Sequence, residues 1–237
     1  MFGDLYQLFL YQPLLNLLIF FYDFIPGKDI GVAIIVLTIL VRILLYPLSQ
    51  KTLKSQKLLQ EIQPKVEELK KKYADNKEML ASELMKVYSE NKVNPFSSCL
   101  PLLIQLPIFI ALYQTFQAGL TSSSFNLLYP FIPSPGSISP VSFGFLDLSK
   151  AQPVLALLAG LAQYYQSKMM ITKKQPAMAG SEDEKRLALM NKQMMYMMPV
   201  LTVVIGFSLP GGLTLYWLLT TVLMVLQQYL MFKKKLN

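Results

Sequence analysis

One arginine, Arg42, lies inside a long apolar stretch and is the side chain whose chemistry most needs an explanation. It interrupts the run Ile30–Leu48 near its second end. At 1.5 Å per residue, it would lie about 9 Å below that end of a helix. A charge at such a depth in a bilayer costs roughly 2.5–3.5 kcal/mol on insertion scales. Either the side chain reaches back to the lipid head groups, or it lies in a water-filled cavity between helices.

The other polar side chains in the apolar stretches favour the cavity. No Asp or Glu lies in these stretches, so Arg42 has no acidic partner there and would attract anionic groups from elsewhere. Glutamine is unfavourable toward lipid and should face the interior of a helix bundle. Such residues are Gln105, Gln114, Gln163, Gln166, Gln227 and Gln228, together with Thr214, Thr220 and Thr221. For any single glutamine, an ordinary hydrogen bond between helices is the simpler interpretation.

The sequence lacks the residue types of the common catalytic and metal sites. It has no His and one Cys, Cys99, which leaves no disulfide framework and no His- or Cys-based metal site. The apolar stretches hold no nucleophile–base pair and no paired carboxylates, and no glycine-rich phosphate-binding loop is present. We therefore expect neither an enzyme nor a protein that needs a metal or cofactor.

The elements that position Arg42 are predicted to be membrane-spanning helices. Of the 237 residues, 53% are hydrophobic and 15% are charged, whereas about a quarter are charged in soluble domains. A spanning helix needs about 20 mostly apolar residues. We predict an all-α membrane protein with five transmembrane helices, at 29–48, 99–118, 153–171, 194–209 and 213–232. The turn residues Pro210, Gly211 and Gly212 make the last two a tight hairpin.

Basic residues predict the orientation of these helices. Of the 22 Lys and Arg residues, ten lie in 49–98, six in 168–193 and three in the tail 233–237. Five spans place all three regions on one side, which the positive-inside rule assigns to the cytoplasm. The N-terminus is then outside and the C-terminus cytoplasmic. The loops are predicted at 119–152 on the outside and at 172–193 in the cytoplasm.

The N-terminal segment 1–28 has two possible placements. It is apolar, but polar residues and a proline interrupt its first half, among them Gln12 and Asn16. This pattern favours an interfacial amphipathic helix on the outer surface over a sixth span. No basic region precedes the apolar residues, so we expect no removable signal peptide.

The segment 49–98 is predicted to be a cytoplasmic helical hairpin. Apolar residues recur every three or four positions from Leu58 to Tyr73 and again from Leu80 to Tyr88, with turn residues between them. Pro64, followed by two glutamates, predicts a helix start. Such a hairpin fits either a solvated spacer or a device that binds a partner.

Several motifs, spread over residues 14–232, together resemble one family. They are Leu40–Leu48, Leu59–Lys65, Val93–Pro95 with Cys99–Tyr113, Phe145–Ser149, Met197–Pro199, Pro210–Trp217 and Gln227–Tyr229. These motifs resemble the YidC/Oxa family of membrane protein insertases, in a minimal core form. The run from Asn94 to Gln105 is long enough that chance agreement is improbable.

The resemblance implies a fold and a site. Five helices would enclose a hydrophilic groove that is open to the cytoplasm and to lipid and closed on the outside, and Arg42 would lie in it. The family's groove also draws on its third and fifth spans, which implies Gln163, Gln166 and Trp217. The predicted groove residues are therefore Arg42, Gln105, Gln163, Gln166 and Trp217. Without the resemblance, Trp217 would be taken as an interfacial anchor.

The resemblance also implies a function. The chain would insert nascent transmembrane segments into the bacterial plasma (inner) membrane as an insertase and chaperone, alone or with the Sec translocon. Its partners would be nascent membrane proteins, lipids, the ribosome and the signal recognition particle, with no direct binding of nucleic acid. The alternative is a channel or transporter subunit, for which inverted repeats with broken helices would be expected. The sequence shows no such repeat.

Overall fold

The computed structural model describes residues 2–92, 94, 100–117, 124–170 and 196–233. Cys99, the loop 172–193 and the last four residues of the tail lie outside these ranges. In chain order the helices are α1 (Phe2–Tyr6), a π-helical turn (Gln7–Tyr11), α2 (Gln12–Phe24), α3 (Ile30–Leu44), α4 (Tyr46–Lys72), α5 (Lys77–Glu90), α6 (Leu100–Gln117), α7 (Pro153–Met170), α8 (Tyr196–Gly206) and α9 (Gly211–Lys233). A 3-10 turn (Ser124–Leu127) precedes the strands β1 (Val141–Ser142) and β2 (Leu146–Asp147).

The helices are apolar enough for a membrane protein. Gly3–Phe24 and Gly211–Met231 are long and apolar enough to cross a bilayer by themselves. The pair α3 and α4, bent by 63°, adds a third candidate if it counts as one span. The predicted class, a mostly helical membrane protein, is confirmed at this level, and the count of five spans stays a prediction.

The chain bends between α3 and α4 at Leu45. This is earlier than the predicted end of the first span at residue 48. Pro47 lies at the start of α4, where its missing N–H costs no helical hydrogen bond. The predicted helix start at Pro64 is wrong, because Pro64 lies inside α4, which runs on to Lys72. Ile62 and Val66, on either side of Pro64, are buried in one cluster with residues of α5, and this packing holds α4 together through the proline.

The N-terminal helices α1 and α2 pack into the main core. Leu14, Leu18 and Tyr22 belong to the same buried cluster as residues of α3, α6 and α9. The polar residues that interrupt the apolar pattern bind the loop after α6. The side-chain amide of Asn16 donates to the Leu127 carbonyl at 3.0 Å, and its oxygen accepts from the Tyr129 N–H at 2.7 Å.

The ends of the N-terminal region are tied to neighbouring segments as well. The Tyr6 hydroxyl donates to Gln114 Oε1 near the end of α6, at 3.0 Å. The Tyr22 hydroxyl accepts from the backbone N–H of Ser139, at 3.1 Å. The N-terminal region therefore contacts the end of α6 and the following loop along its whole length.

The segment 139–150, which precedes α7 in the chain, contacts the starts of both α3 and α9. We call this segment the strap. It contains the antiparallel strands β1 and β2. At the start of α9, Gly211 N–H donates to the Lys150 carbonyl at 2.8 Å and Gly212 N–H to the Leu148 carbonyl at 3.0 Å. A Cβ on Gly211 would lie 3.0 Å from the Lys150 oxygen, so this approach requires glycine.

Asp29 fastens the other end of the strap. It is the N-cap of α3, where Oδ1 accepts from the N–H groups of Gly31 at 2.8 Å and Val32 at 3.1 Å. The same carboxylate accepts from the Ser142 hydroxyl and from the Phe143 N–H, the latter at 2.6 Å. One side chain thus caps the helix and holds the strap on it.

Helices α7 and α8 approach closely at Gly160. A Cβ there would overlap Val203 Cγ2 and would lie 3.1 Å from the Pro199 carbonyl oxygen. We expect Gly160→Ala to lower the free energy of unfolding by about 1–3 kcal/mol, as overpacking does in close-packed cores. Thermal unfolding of the purified protein in detergent measures this as a lower Tm.

A double variant separates the clash from other effects of the alanine. Because the nearest atom is a methyl of Val203, Gly160→Ala combined with Val203→Ala should recover part of the lost stability, although Val203→Ala alone is destabilising. Equal stability of Gly160→Ala and the wild type would show that α7 and α8 are not in close contact at this point.

Candidate functional site

Arg42 reaches from α3 toward α9. It is half-buried in the last turn of α3, and its Nη2 donates to Gln227 Oε1 of α9 at 3.4 Å. Tyr216 of α9 also lies near Arg42. Among the described residues, no Asp or Glu forms an ion pair with Arg42. The site therefore holds a cation whose hydrogen-bond partner among the described residues is a neutral amide.

A polar stripe on α9 faces Arg42. The stripe consists of Tyr216 and the residues four and eleven positions after it, Thr220 and Gln227. This spacing places the three side chains on one face of a helix. Tyr216 is 1% exposed, and its hydroxyl accepts from Gln105 Nε2 of α6 at 2.6 Å. The tyrosine thus links the predicted groove residue Gln105 to the surroundings of Arg42.

Two further predicted residues also contact or lie on α9. Gln166 of α7 directs its amide nitrogen to Met224 Sδ at 3.6 Å, and a thioether is a weak acceptor. Trp217 lies on α9 itself and packs edge-to-face on Phe109 of α6, with ring centroids 5.2 Å apart. Its half-buried ring is held between helices.

Gln163 points elsewhere. Its Oε1 accepts from the Thr202 hydroxyl of α8 at 3.1 Å. Arg42, Gln105 and Gln166 each contact α9, where Trp217 also lies, whereas the contact of Gln163 is with α8. Four of the five predicted residues therefore share α9 as a common wall. Gln105 and Gln163 both form hydrogen bonds between helices, as the simpler interpretation predicts for any single glutamine.

The residues that sequence reasoning undervalued are Tyr216 and Gln227. Both were visible only as members of longer motifs or as polar residues of the last apolar stretch. Their spacing of eleven residues, with Thr220 between them, was the signal that they share a face. Without tertiary contacts, nothing in the sequence paired that face with Arg42.

The described residues contain no group of three or more His, Cys, Asp or Glu side chains close enough to hold a metal ion. The site consists of one guanidinium, carboxamides, hydroxyls and aromatic rings. Such groups can attract and orient an anionic or polar segment by hydrogen bonds and charge.

Comparison with known proteins places the chain in a family. A sequence model described as 60Kd inner membrane protein matches residues 20–237. A protein of Fusobacterium nucleatum named membrane protein insertase YidC is 37% identical over 210 residues, which are 87% of each chain. The protein of that name in Oceanobacillus iheyensis is 35% identical over 211 residues, 87% of this chain and 76% of the relative.

A third relative is much longer than this chain. The protein of the same name in Syntrophobacter fumaroxidans is 36% identical over 223 residues, which are 93% of this chain and 37% of the relative. The family match nevertheless covers most of the chain, and the resemblance drawn from the motifs is confirmed. This chain belongs to the 60Kd inner membrane protein family, the family of the YidC and Oxa insertases.

Proposed function

We propose that this chain is a membrane protein insertase, which moves nascent transmembrane segments from the cytoplasm into the bilayer and is not an enzyme. The names of its relatives support this function. The single observation that carries it is Arg42, a half-buried cation that contacts Gln227 across two helices and forms no ion pair among the described residues. A charge that costs free energy in a membrane is typical of a site that handles charged or polar segments.

The proposed topology has α3, α6, α7, α8 and α9 as the five spans, with α4 and α5 as the cytoplasmic hairpin in the bacterial inner membrane. The N-terminal region would lie on the outer surface. Its contacts support this placement, since Tyr6, Asn16 and Tyr22 bind the end of α6 or the loop that follows it. A helix that crossed the bilayer would carry one end to the opposite side and could not make all three contacts.

The proposed mechanism needs no nucleotide. A short acidic tail of the substrate enters the groove and pairs with Arg42, and low local polarity strengthens that attraction. The membrane potential then helps to move the tail outward by roughly 2.3 kcal/mol per charge per 100 mV. Burial of the substrate's apolar helix in lipid completes the step.

The hairpin of α4 and α5 would meet the substrate first. Ile62, Val66 and Val87 hold the two helices together, while Met79 and Met85 of α5 are exposed. Flexible thioethers suit a surface that must accept many apolar segments. Nascent membrane proteins and lipids are the proposed partners, with the Sec translocon, the ribosome and the signal recognition particle as sources of substrate.

Reconstitution tests this function. The wild-type chain in liposomes should insert a small substrate with an acidic N-terminal tail, so that the tail becomes protected from added protease. Liposomes without the chain measure spontaneous insertion. Solute uptake or ionic conductance without any gain in protected tail would contradict the proposal and favour a channel or transporter.

A further inference from the structure

We infer that Gln227 is a second donor of the substrate site, and that Gln227 and Arg42 together bind one carboxylate of the incoming acidic tail. This inference rests on the proposed function and adds a second binding residue to it. The ligand group is the side-chain carboxylate of an Asp or Glu in the substrate.

The first step is the orientation of the Gln227 amide. Its Oε1 accepts from Arg42 Nη2 at 3.4 Å. The opposite orientation would set the amide NH₂ against the guanidinium, donor against donor, so the contact with Arg42 fixes which end of the amide faces it. The NH₂ group must then point away from the guanidinium.

The second step is the state of that NH₂ group. Gln227 Nε2 is buried, and it has no hydrogen-bond partner among the described residues. A buried amide N–H without an acceptor is unfavourable, and each such group in a folded protein calls for an explanation. At Gln227 the unpaired donor is on a side chain already bonded to the half-buried guanidinium of Arg42, which points to a ligand that supplies acceptors.

The third step is the excess of donors around the site. Arg42 has five N–H groups and no acceptor, and its hydrogen bond to Gln227 uses one of them. The buried NH₂ group of Gln227 adds further N–H donors beside it. A ligand that only accepts matches these two side chains, and an ionised carboxylate is such a ligand.

The sharpest variant is Gln227→Glu, which keeps the shape of the side chain and places a carboxylate of the protein against Arg42. It should slow insertion of an acidic-tailed substrate about tenfold, because hydrogen bonds to a charged group are stronger than neutral ones and the variant occupies the site itself. A substrate whose tail carries Asn and Gln in place of Asp and Glu should insert at the wild-type rate. Gln7→Glu adds the same charge on an exposed side chain and should change neither substrate.

A second variant, Gln227→Met, removes the amide donor and places no carboxylate of the protein beside Arg42. It should slow the acidic-tailed substrate less than Gln227→Glu does and again spare the neutral tail. Thermal unfolding of each variant, with a Tm close to that of the wild type, shows that a loss of activity is not a loss of fold.

Changing the lipid composition distinguishes a substrate carboxylate from a lipid phosphate as the bound anion. The assays are run in phosphatidylcholine liposomes with and without phosphatidylglycerol. If Gln227→Glu slows both tails equally, and only when phosphatidylglycerol is present, the ligand is a lipid phosphate and the assignment to a substrate carboxylate is wrong. If both Gln227 variants insert the acidic tail at the wild-type rate, Gln227 is no part of the site. A wild-type chain without insertion activity would instead refute the proposed function.

Discussion

Asp29→Ala is expected to lower the free energy of unfolding by about 2–4 kcal/mol and the Tm by roughly 10 °C. Loss of an N-cap carboxylate alone costs about 1 kcal/mol. The variant also removes the acceptor of Ser142, which is fully buried, and of the Phe143 N–H. A buried donor that loses its acceptor costs about 1–3 kcal/mol, so the strap accounts for the larger share.

The effect should extend beyond α3, because the strap also binds the start of α9. Its residues Leu148 and Lys150 accept from Gly212 and Gly211. Release at Asp29 therefore frees one end of a connection between the first and last proposed spans. Amide hydrogen exchange at Ser142 and Phe143 should rise in Asp29→Ala, which thermal unfolding alone would not show.

The contribution of Asp29 also predicts a dependence on pH. Burial by itself raises the pKa of Asp29, but the hydrogen bonds from Ser142, Phe143, Val32 and Gly31 outweigh it and lower the pKa below its ordinary value. A lowered pKa in the folded state means that the carboxylate stabilises the fold fully above the unfolded pKa of about 3.9. This stability is lost as the pH falls through the folded pKa. The wild type and Asp29→Asn should therefore converge in Tm below that range.

Asp23 supplies the matched control. It pairs with Lys28 at 2.8 Å, and the Lys28 side chain is 58% exposed. An exposed ion pair contributes about 0–1 kcal/mol, so Asp23→Asn should barely change the Tm.

A double-mutant cycle of Asp29→Ala with Ser142→Ala should give a clear coupling energy. Additive effects of the two substitutions, or equal Tm values for Asp23→Asn and Asp29→Ala, would show that the strap is not fastened by this carboxylate.

The N-terminal region shows what the sequence could and could not predict. The polar residues in an apolar helix predicted a segment that is not uniformly embedded in lipid, and the structure shows where two of them go. Asn16 and Gln12 both donate to the Leu127 carbonyl. Amphipathicity reports that a face is polar, but it cannot identify the backbone atom, more than a hundred residues away in sequence, that this face binds.

The bend at Leu45 and the continuous α4 show that two prolines in neighbouring segments can have different effects on a helix. Pro47 and Pro64 carry the same backbone restriction, yet one lies at a helix start and the other inside a helix. Tertiary packing decides between them, because the residues around Pro64 are buried against α5. Intrinsic propensity could not make this distinction, since it treats each proline alone.

The sequence predicted individual residues of the candidate site, but not which of them contact each other. The cost of an unpaired charge drew attention to Arg42, and the cost of glutamine in lipid drew attention to Gln105 and Gln166. Which helix each one faces depends on packing angles that the apolar pattern does not contain. Gln163 and Gln166 are three residues apart, yet their partners lie on α8 and α9.

Arg42→Ala is expected to slow insertion of an acidic-tailed substrate about tenfold or more, with Arg42→Lys between the alanine variant and the wild type. Two opposite charges 4 Å apart attract by about 4 kcal/mol at an effective dielectric constant of 20, and part of this is offset by desolvation. Lysine keeps the charge but lacks the planar fork that binds a carboxylate through two N–H groups. Protease protection of the tail in liposomes measures the rate, and Lys51→Ala, which removes an exposed charge of α4, should not change it.

We expect Arg42→Ala to have opposite effects on the stability of the protein and on its insertion activity. A half-buried arginine without an ion pair destabilises the helix bundle, so Arg42→Ala should leave the Tm unchanged or raise it while insertion slows. An arginine that only reaches to the lipid head groups would give another result. Alanine would then match the wild type in insertion across several substrates, lysine would show no intermediate effect, and the helix would lose an anchor at the interface. The comparison therefore uses substrates with acidic and with neutral tails, and only the acidic ones should depend on Arg42.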